Sequence, residues 1–385
     1  MDYTTLLQEP TASQQMEPVA MHSLYAAFQE LADPRKRKGK RYEMALLLTF
    51  LVLAKLSGET TLSAATHWIR LRGNWLAEQF RLKRSGMPCQ NTYRSLLALL
   101  DAQEVSQLLA AFFTRWESQR RCADEPSRLL LQKGRQDKAH IAIDGKTSRA
   151  TTSTEESVHL LSFYEVHTGL VLTQCQGQEK QNEISALKAL LTAALVTGRI
   201  LTVDALHTQR EFCRRVRELQ GHYLVIAKDN QPTLREDLEA FFEDRQADRR
   251  TWQSHEQIEK GLGRLERRLI WTSADMNPWF AKDWCDVAQV FRLEREVRTL
   301  KTGKLHLARR HWAVENELHW RRDVTLGEDR CQSRTGKVPQ MLATLNNVVL
   351  ALMEMLAVSN VAAKMREFAA CPEQALRLVL SGAEN

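Results

Sequence analysis

At 385 residues the chain exceeds what one hydrophobic core usually serves, so a core domain with at least one helical accessory domain is expected. Its 54 Lys and Arg against 47 Asp and Glu leave a formal charge of +7, an excess that points to nucleic acid only where it is clustered. Seven scattered cysteines with no Cys-x-x-Cys argue against a zinc ribbon or a disulfide framework, and the longest apolar run, Met44 to Ala54, is too short to span a bilayer.

The N-terminus lacks a basic leader segment, so a soluble cytoplasmic protein is the expectation. Residues 1–20 are polar and without periodicity, which suits a flexible arm. A helical DNA-binding domain is expected over residues 21–120. Near its start, Arg35, Lys36, Arg37, Lys38, Lys40 and Arg41 put six cations within seven positions. Such a run is either a solvated turn or a phosphate-contacting segment whose binding weakens steeply with salt.

Tyr42–Leu56 and Ser63–Phe80 have helical periodicity, Ser85-Gly86-Met87-Pro88 interrupts it, and Asn91–Leu100 resumes it. This order fits simple bundle packing. It also fits a helix-turn-helix, whose second helix would offer Gln90, Asn91, Thr92 and Arg94 at the end where a recognition helix reads bases. Ala102–Gln119 closes the domain, and residues 121–138 have the polar character of a linker.

From there the periodicity turns strand-like. His140–Ile143, Val158–Tyr164 and Leu170–Gln176 predict strands, with His167-Thr168-Gly169 as a hairpin turn. An amphipathic helix over Glu183–Thr197, a strand over Ile200–Val203, a helix over Thr208–Leu219 and a strand over Tyr223–Ile226 complete a βββαβαβ order, the first part of a core spanning 139–228. After Lys228-Asp229-Asn230-Gln231-Pro232 comes a helix. Alternating segments at His255–Glu259, Arg264–Thr272, Val287–Leu293 and Val297–Leu300 then predict a mostly β insertion over 229–305. Residues 306–358 are expected to complete the core, with Val338–Val358 as a long apolar helix, and residues 359–385 to form a helical tail.

Three carboxylates stand out against this layout. Asp144 and Asp204 each end a β-branched run, and Glu315 lies in a segment, Arg309–Trp320, with helical spacing. In an open α/β sheet ligands bind beyond the carboxyl ends of the strands, so neighbouring strands would bring Asp144 and Asp204 into one crevice. Carboxylates so close repel one another unless a cation lies between them, and hard cations take oxygen ligands. Two divalent cations held there would suit phosphodiester chemistry.

The bland alternatives are an Asp-Gly turn at Asp144 and an ordinary helical glutamate at Glu315. His311, Glu315, His319 and Asp323 recur every four residues, a stripe that also suits a polar face or zinc, although no His-Glu-x-x-His is present. Lys228 and Arg309 are candidates to hold phosphates or to pair at the surface. Trp312 and Trp320 are candidates to stack on frayed bases or to pack in the core.

Several motifs in a fixed order resemble an insertion-sequence transposase of the H-repeat-associated type, a DDE enzyme with an RNase H-like core. They are Asp33-Pro34-Arg35, Ile143-Asp144-Gly145-Lys146, Lys180-Gln181-Asn182-Glu183-Ile184, Val203-Asp204-Ala205, Ala227-Lys228-Asp229-Asn230-Gln231 and Arg309-Arg310-His311-Trp312-Ala313-Val314-Glu315-Asn316. Leu318-His319-Trp320, Asp323-Val324 and Glu328-Asp329 close the series, which covers about Phe28 to Met353.

The resemblance implies an α/β fold: an RNase H-like mixed sheet flanked by helices, with an N-terminal all-α domain and a β-rich insertion. It implies Asp144, Asp204 and Glu315 as the metal-binding triad for Mg2+, with Mn2+ as substitute. It implies double-stranded DNA, both element ends and target, as partner, and a homodimer. The DNA-facing candidates are Arg35, Lys36, Arg37, Lys38, Lys40, Arg41, Asn91, Arg94, Lys228, Arg309 and His311.

The chain departs from the Tyr-Arg-Glu-Lys signature of neighbouring transposase groups, having Ala308, His311 and Arg322, and has Leu262-Gly263-Arg264 in place of His-Gly-Arg. The expected activity is cleavage at element ends and joining of the 3′-hydroxyl to target DNA. The alternatives are a domesticated DNA nuclease or DNA-binding protein without strand transfer, and a metal-dependent hydrolase of small phosphoesters.

Overall fold

The computed structural model describes residues 23–36, 40–128, 138–148, 158–166, 168–177, 187–244, 248–261, 264–299, 305–307, 321–328, 336–358 and 360–381. The expected arm 1–20, Arg37, Lys38, Arg309, His311, Trp312, Glu315 and Trp320 lie outside these residues. The chain divides into two compact units, Met1–Leu131 with Val324–Asn385, and Gln132–Asp323.

The first unit is helical. Its centre is α2 (Met44–Leu56), in which every residue is buried. A helix apolar on all sides has no solvent face to offer, so it must be wrapped. Around it pack α1 (Leu24–Gln29), α3 (Leu62–Leu71) and, from the C-terminal part of the chain, Val338–Met355, Val361–Ala370 and Pro372–Ser381. Val338–Met355 also lies against α5 (Gln90–Leu99) and α6 (Ala102–Arg128). Of the residues expected to complete the core, the described helix Val338–Met355 belongs to the first unit, where its apolar length packs against that unit's helices.

Two local expectations are revised. The helix expected over Ser63–Phe80 is two helices, α3 and α4 (Gly73–Gln79), that break at Arg72. The break lets the loop before α5 come down on Gly73, where a Cβ would sit 2.5 Å from the Ser85 carbonyl oxygen. Helix α6 runs past Gln119 and through the first half of the expected linker, since Arg120, Arg121, Ala123 and Glu125 are all good helix formers.

The buried ends of α2 carry the polar exceptions. Lys55, only 4% exposed, donates to Asn346 Oδ1 at 2.7 Å, and Asn346 Nδ2 donates to the buried Glu328 at 3.0 Å. A charge in such a place needs hydrogen-bonded partners to be tolerated.

The second unit holds two sheets. The first has the order β3-β2-β1-β4-β5, from β1 (His140–Ser148), β2 (Val158–Glu165), β3 (Leu170–Gly177), β4 (Ile200–Val203) and β5 (His222–Leu224). Strands β1, β2 and β3 pair antiparallel, while β4 runs parallel to β1 and β5 parallel to β4. The mixed α/β character expected from the sequence is present. Gly169 takes φ +67 in the β2–β3 turn, a conformation that favours glycine. The helix expected over Glu183–Thr197 is interrupted within its described part. Thr192 is extended, and Ala193–Val196 starts afresh after it.

The insertion begins with a helix, Pro232–Glu243, and continues as a four-stranded antiparallel sheet of order β6-β7-β8-β9. Its strands are β6 (Gln253–Gly261), β7 (Arg264–Ser273), β8 (Val290–Thr299) and β9 (Leu305–Leu307). The two strands expected over 287–300 are the single β8. Its charged middle does not end the strand because Arg295 pairs with Glu266 of β7 at 2.6 and 2.8 Å, and Arg267 pairs with Glu296 at 3.5 Å.

Candidate active site

Residues Ile200–Val203 and His140–Ile143 are apolar enough to be buried side by side, and their parallel register pairs Ile143 with Val203. Asp144 and Asp204 are the next residues on each strand. Asp204 follows the end of β4, but β1 runs four residues beyond Asp144, so the strand-end position expected of both acids holds for Asp204 alone. Each acid comes one residue after a paired position, with the same side-chain parity. Asp144 is half-buried and still within β1, opposite Ser162 of β2, and its Oδ1 accepts from the Gly145 N–H at 2.9 Å. Asp204 is exposed, in an extended conformation just before the short 3-10 turn Ala205–His207.

Lys228 Nζ lies 3.1 Å from Asp204 Oδ1. Partial burial pushes the Asp204 carboxyl up, but the Ala205 N–H, the Lys228 ammonium and His207 outweigh it and hold the group below its ordinary value. Burial in turn pushes His207 down, against the pull of Asp204. The site thus favours an ionised Asp204.

The sequence offered Lys228 as a phosphate contact but not the scaffold that holds it. Asn230 Nδ2 donates to the Ala205 carbonyl, Gln231 Nε2 donates to the Thr208 carbonyl at 3.1 Å, and Thr208 Oγ1 donates to the Ile226 carbonyl at 2.9 Å. These bonds join the turn after β4 to the segment after β5 and so fix Lys228 beside Asp204. Their signal in the sequence was the Ala227–Gln231 motif itself, rich in amides where a plain loop has no need of them.

Among the described residues no group of three or more His, Cys, Asp and Glu side chains gathers as a metal site. The two aspartates are brought together, and Glu315 lies outside the described residues. Two oxygen donors at one sheet edge, one of them exposed and ionised, suit a hard divalent cation. Arg322, which stands where the neighbouring groups carry Lys, is buried in the π-helical turn Arg321–Thr325.

The DNA-facing candidates of the first unit have different fates. Arg35 is taken up by Asp33, donating to its two carboxylate oxygens at 2.9 Å each and to the Tyr42 carbonyl at 2.8 Å. Lys40 lies 3.1 Å from the same carboxylate. Arg35 is therefore a clamp of this loop, its charge already paired with Asp33. Lys36, Arg41, Asn91 and Arg94 are exposed. No single helix among the described residues is long and apolar enough to cross a membrane.

A family profile described as Transposase DDE domain matches residues 135–352, and one described as DDE_Tnp_1-associated matches residues 25–113. An uncharacterized protein in the dhlA 3′ region of Xanthobacter autotrophicus is 30% identical over 262 residues, 67% of this chain and 83% of that protein. The H repeat-associated putative transposase YhhI of Escherichia coli K12 is 30% identical over 244 residues, 56% of this chain and 64% of that protein. The putative transposase YncI of Escherichia coli O157:H7 is 24% identical over 87% of this chain and 88% of that protein. A piggyBac transposase synaptic complex with hairpin DNA aligns at a TM-score of 0.35 and 11% identity over 95% of this chain and 83% of that one, too distant to bear on fold or activity. With more than half of its length matched by the DDE-domain profile, the chain belongs to the DDE-domain transposases of insertion sequences.

Proposed function

We propose that this protein is a DNA transposase that cuts the ends of its element and joins the freed 3′-hydroxyl to target DNA, with Asp144, Asp204 and Glu315 as its acidic triad. The observation that supports this reading is the parallel pairing of Ile143 with Val203, after which Asp144 and Asp204 are the next residue of each segment. The strand order β3-β2-β1-β4-β5, antiparallel in its first three strands and parallel thereafter, supports an RNase H-like core.

Asp144 and Asp204, with Glu315, are the residues that would hold the divalent cation, Mg2+ or Mn2+ in its place. When bound, such a cation makes a water or hydroxyl more nucleophilic and stabilises the leaving oxygen. The chain's own contribution is positional. The Asn230 and Gln231 amides fix Lys228 beside Asp204, where its ammonium is placed to hold a backbone phosphate as a point charge. Two ends must be processed together, so two copies of the chain act on one DNA.

The test is nicking of supercoiled plasmid with Mg2+ or Mn2+ by the wild type and by Asp144→Asn, Asp204→Asn and Glu315→Gln. All three variants should lose nicking while still binding DNA. Nicking at the wild-type rate by either aspartate variant would remove the triad assignment.

A further inference from the structure

Positive charge is distributed unequally over this molecule. In the inserted sheet four of six arginines are ion-paired: Arg267 with Glu256 and Glu296, Arg268 with Glu259 and Glu266, Arg292 with Glu294, and Arg295 with Glu266. The exposed Arg264 and Arg298 have no ion pair among the described residues. Most of that sheet's arginine charge is therefore offset.

The helical unit is the opposite case. The loop between α4 and α5 carries Arg81, Lys83 and Arg84, all exposed, and runs directly into the start of α5 with its exposed Asn91 and Arg94. None of these cations, nor Arg41, has a carboxylate partner among the described residues. The exposed acids nearest in sequence are Glu43 beside Arg41, Glu78 at the end of α4 and Asp101 after α5.

Two contacts bring separate parts of the chain together here. The Tyr42 hydroxyl donates to the Gly86 carbonyl, which ties the basic segment ending at Arg41 to the loop that carries Arg81, Lys83 and Arg84. Gly73, with no Cβ, lets the same loop close onto α4. On the other side, Asp33 withdraws Arg35 and Lys40 from the free charge and uses them to hold the segment in place.

From this placement we infer that Arg41, Arg81, Lys83, Arg84, Asn91 and Arg94 form one duplex-DNA docking surface, with the loop cations on the phosphates and the start of α5 toward a groove. The inference rests on the transposase reading and adds to it a second basic loop and a division of labour. A duplex fits better than a single strand, because single-strand binding uses exposed aromatic platforms and Trp68 and Tyr93 of this region are buried. An amide side chain at a helix start suits adenine edges in a major groove, and cations without partners suit counterion release.

The probe is a fluorescein-labelled duplex of mixed sequence, titrated with the full chain across a range of KCl concentrations. Arg81→Ala/Lys83→Ala/Arg84→Ala should bind at least about tenfold more weakly, and its slope of log affinity against log salt should be shallower by about 2–3. Arg81→Lys/Arg84→Lys, which keeps the charge, should retain the wild-type slope. Arg215→Ala/Arg250→Ala, removing two exposed arginines already paired with Glu218 and Asp248, should also leave it unchanged.

Equal melting temperatures for the wild type and the triple variant separate lost binding from lost folding. Wild-type affinity and slope in the triple variant would overturn the inference and leave the catalytic reading intact. Weakened binding by the triple variant, alongside undiminished nicking by Asp144→Asn, would overturn the catalytic reading and leave the surface standing.

Discussion

The Lys228 ammonium sits 3.1 Å from Asp204 Oδ1, so the acid that follows β4 already has a positive partner supplied by the chain. The pair is half-exposed on both sides, and its attraction is screened by water. Lys228 competes for the oxygen a cation would use, but weakly. Removing it as Lys228→Ala should tighten Mn2+ binding in the absence of DNA by about two- to fivefold, the size of an exposed ion pair. Electron paramagnetic resonance of free Mn2+ in a titration reads this directly, and looser binding would show that Lys228 helps to shape the site instead.

The amides behind Lys228 predict a local effect. Asn230→Ala breaks the bond to the Ala205 carbonyl, and Gln231→Ala the bond to the Thr208 carbonyl. Each should lower global stability by about 1 kcal/mol or less, the usual net worth of one neutral hydrogen bond. Hydrogen exchange should show the larger change, with faster exchange confined to the 205–208 turn and the 226–231 segment.

The buried chain Lys55–Asn346–Glu328 predicts a non-additive result. Lys55→Met removes the buried cation that donates to Asn346, whose amide in turn donates to Glu328, and should destabilise by about 3 kcal/mol in urea unfolding. Lys55→Met/Glu328→Gln removes both charges together and should recover part of that loss. A double variant less stable than the sum of its single changes would contradict the coupling.

The Asp33 clamp predicts a pH dependence. The Arg35 guanidinium beside Asp33 holds its carboxyl well below the usual carboxylate range. A group depressed on folding contributes stability above its unfolded value, and that contribution is lost as pH falls through the folded value. The melting temperature of Asp33→Asn should therefore lie below that of the wild type at neutral pH. The gap should begin to shrink below about pH 4. A gap that does not change between pH 7 and 2 would show that the loop is held by other contacts.

Much of this was legible in the sequence, and each success has a local cause. Tyr42–Leu56 read as a helix from its periodicity, and α2 spans Met44–Leu56. The β-branched runs before Asp144 and Asp204 read as strands with an acid at each carboxyl end; β1 and β4 form there, with Asp204 just past β4, while β1 runs on to Ser148, four residues past Asp144. Periodicity and strand propensity depend on neighbours a few residues away, so they survive translation from chain to fold.

The tertiary structure alone decided the rest. That β1 and β4 lie side by side in parallel register, that Lys228 stands at Asp204, and that Val338–Met355 joins the helical unit are pairings of residues far apart in sequence. Charge is the clearest case. In sequence Arg35 and Arg81 look alike, and Arg35 stands in the stronger cluster. Arg35 takes its partner from Asp33 two residues away and Arg81 stays open to solvent, whereas Asp204 finds Lys228 across 24 residues, because packing and not adjacency brings those two together.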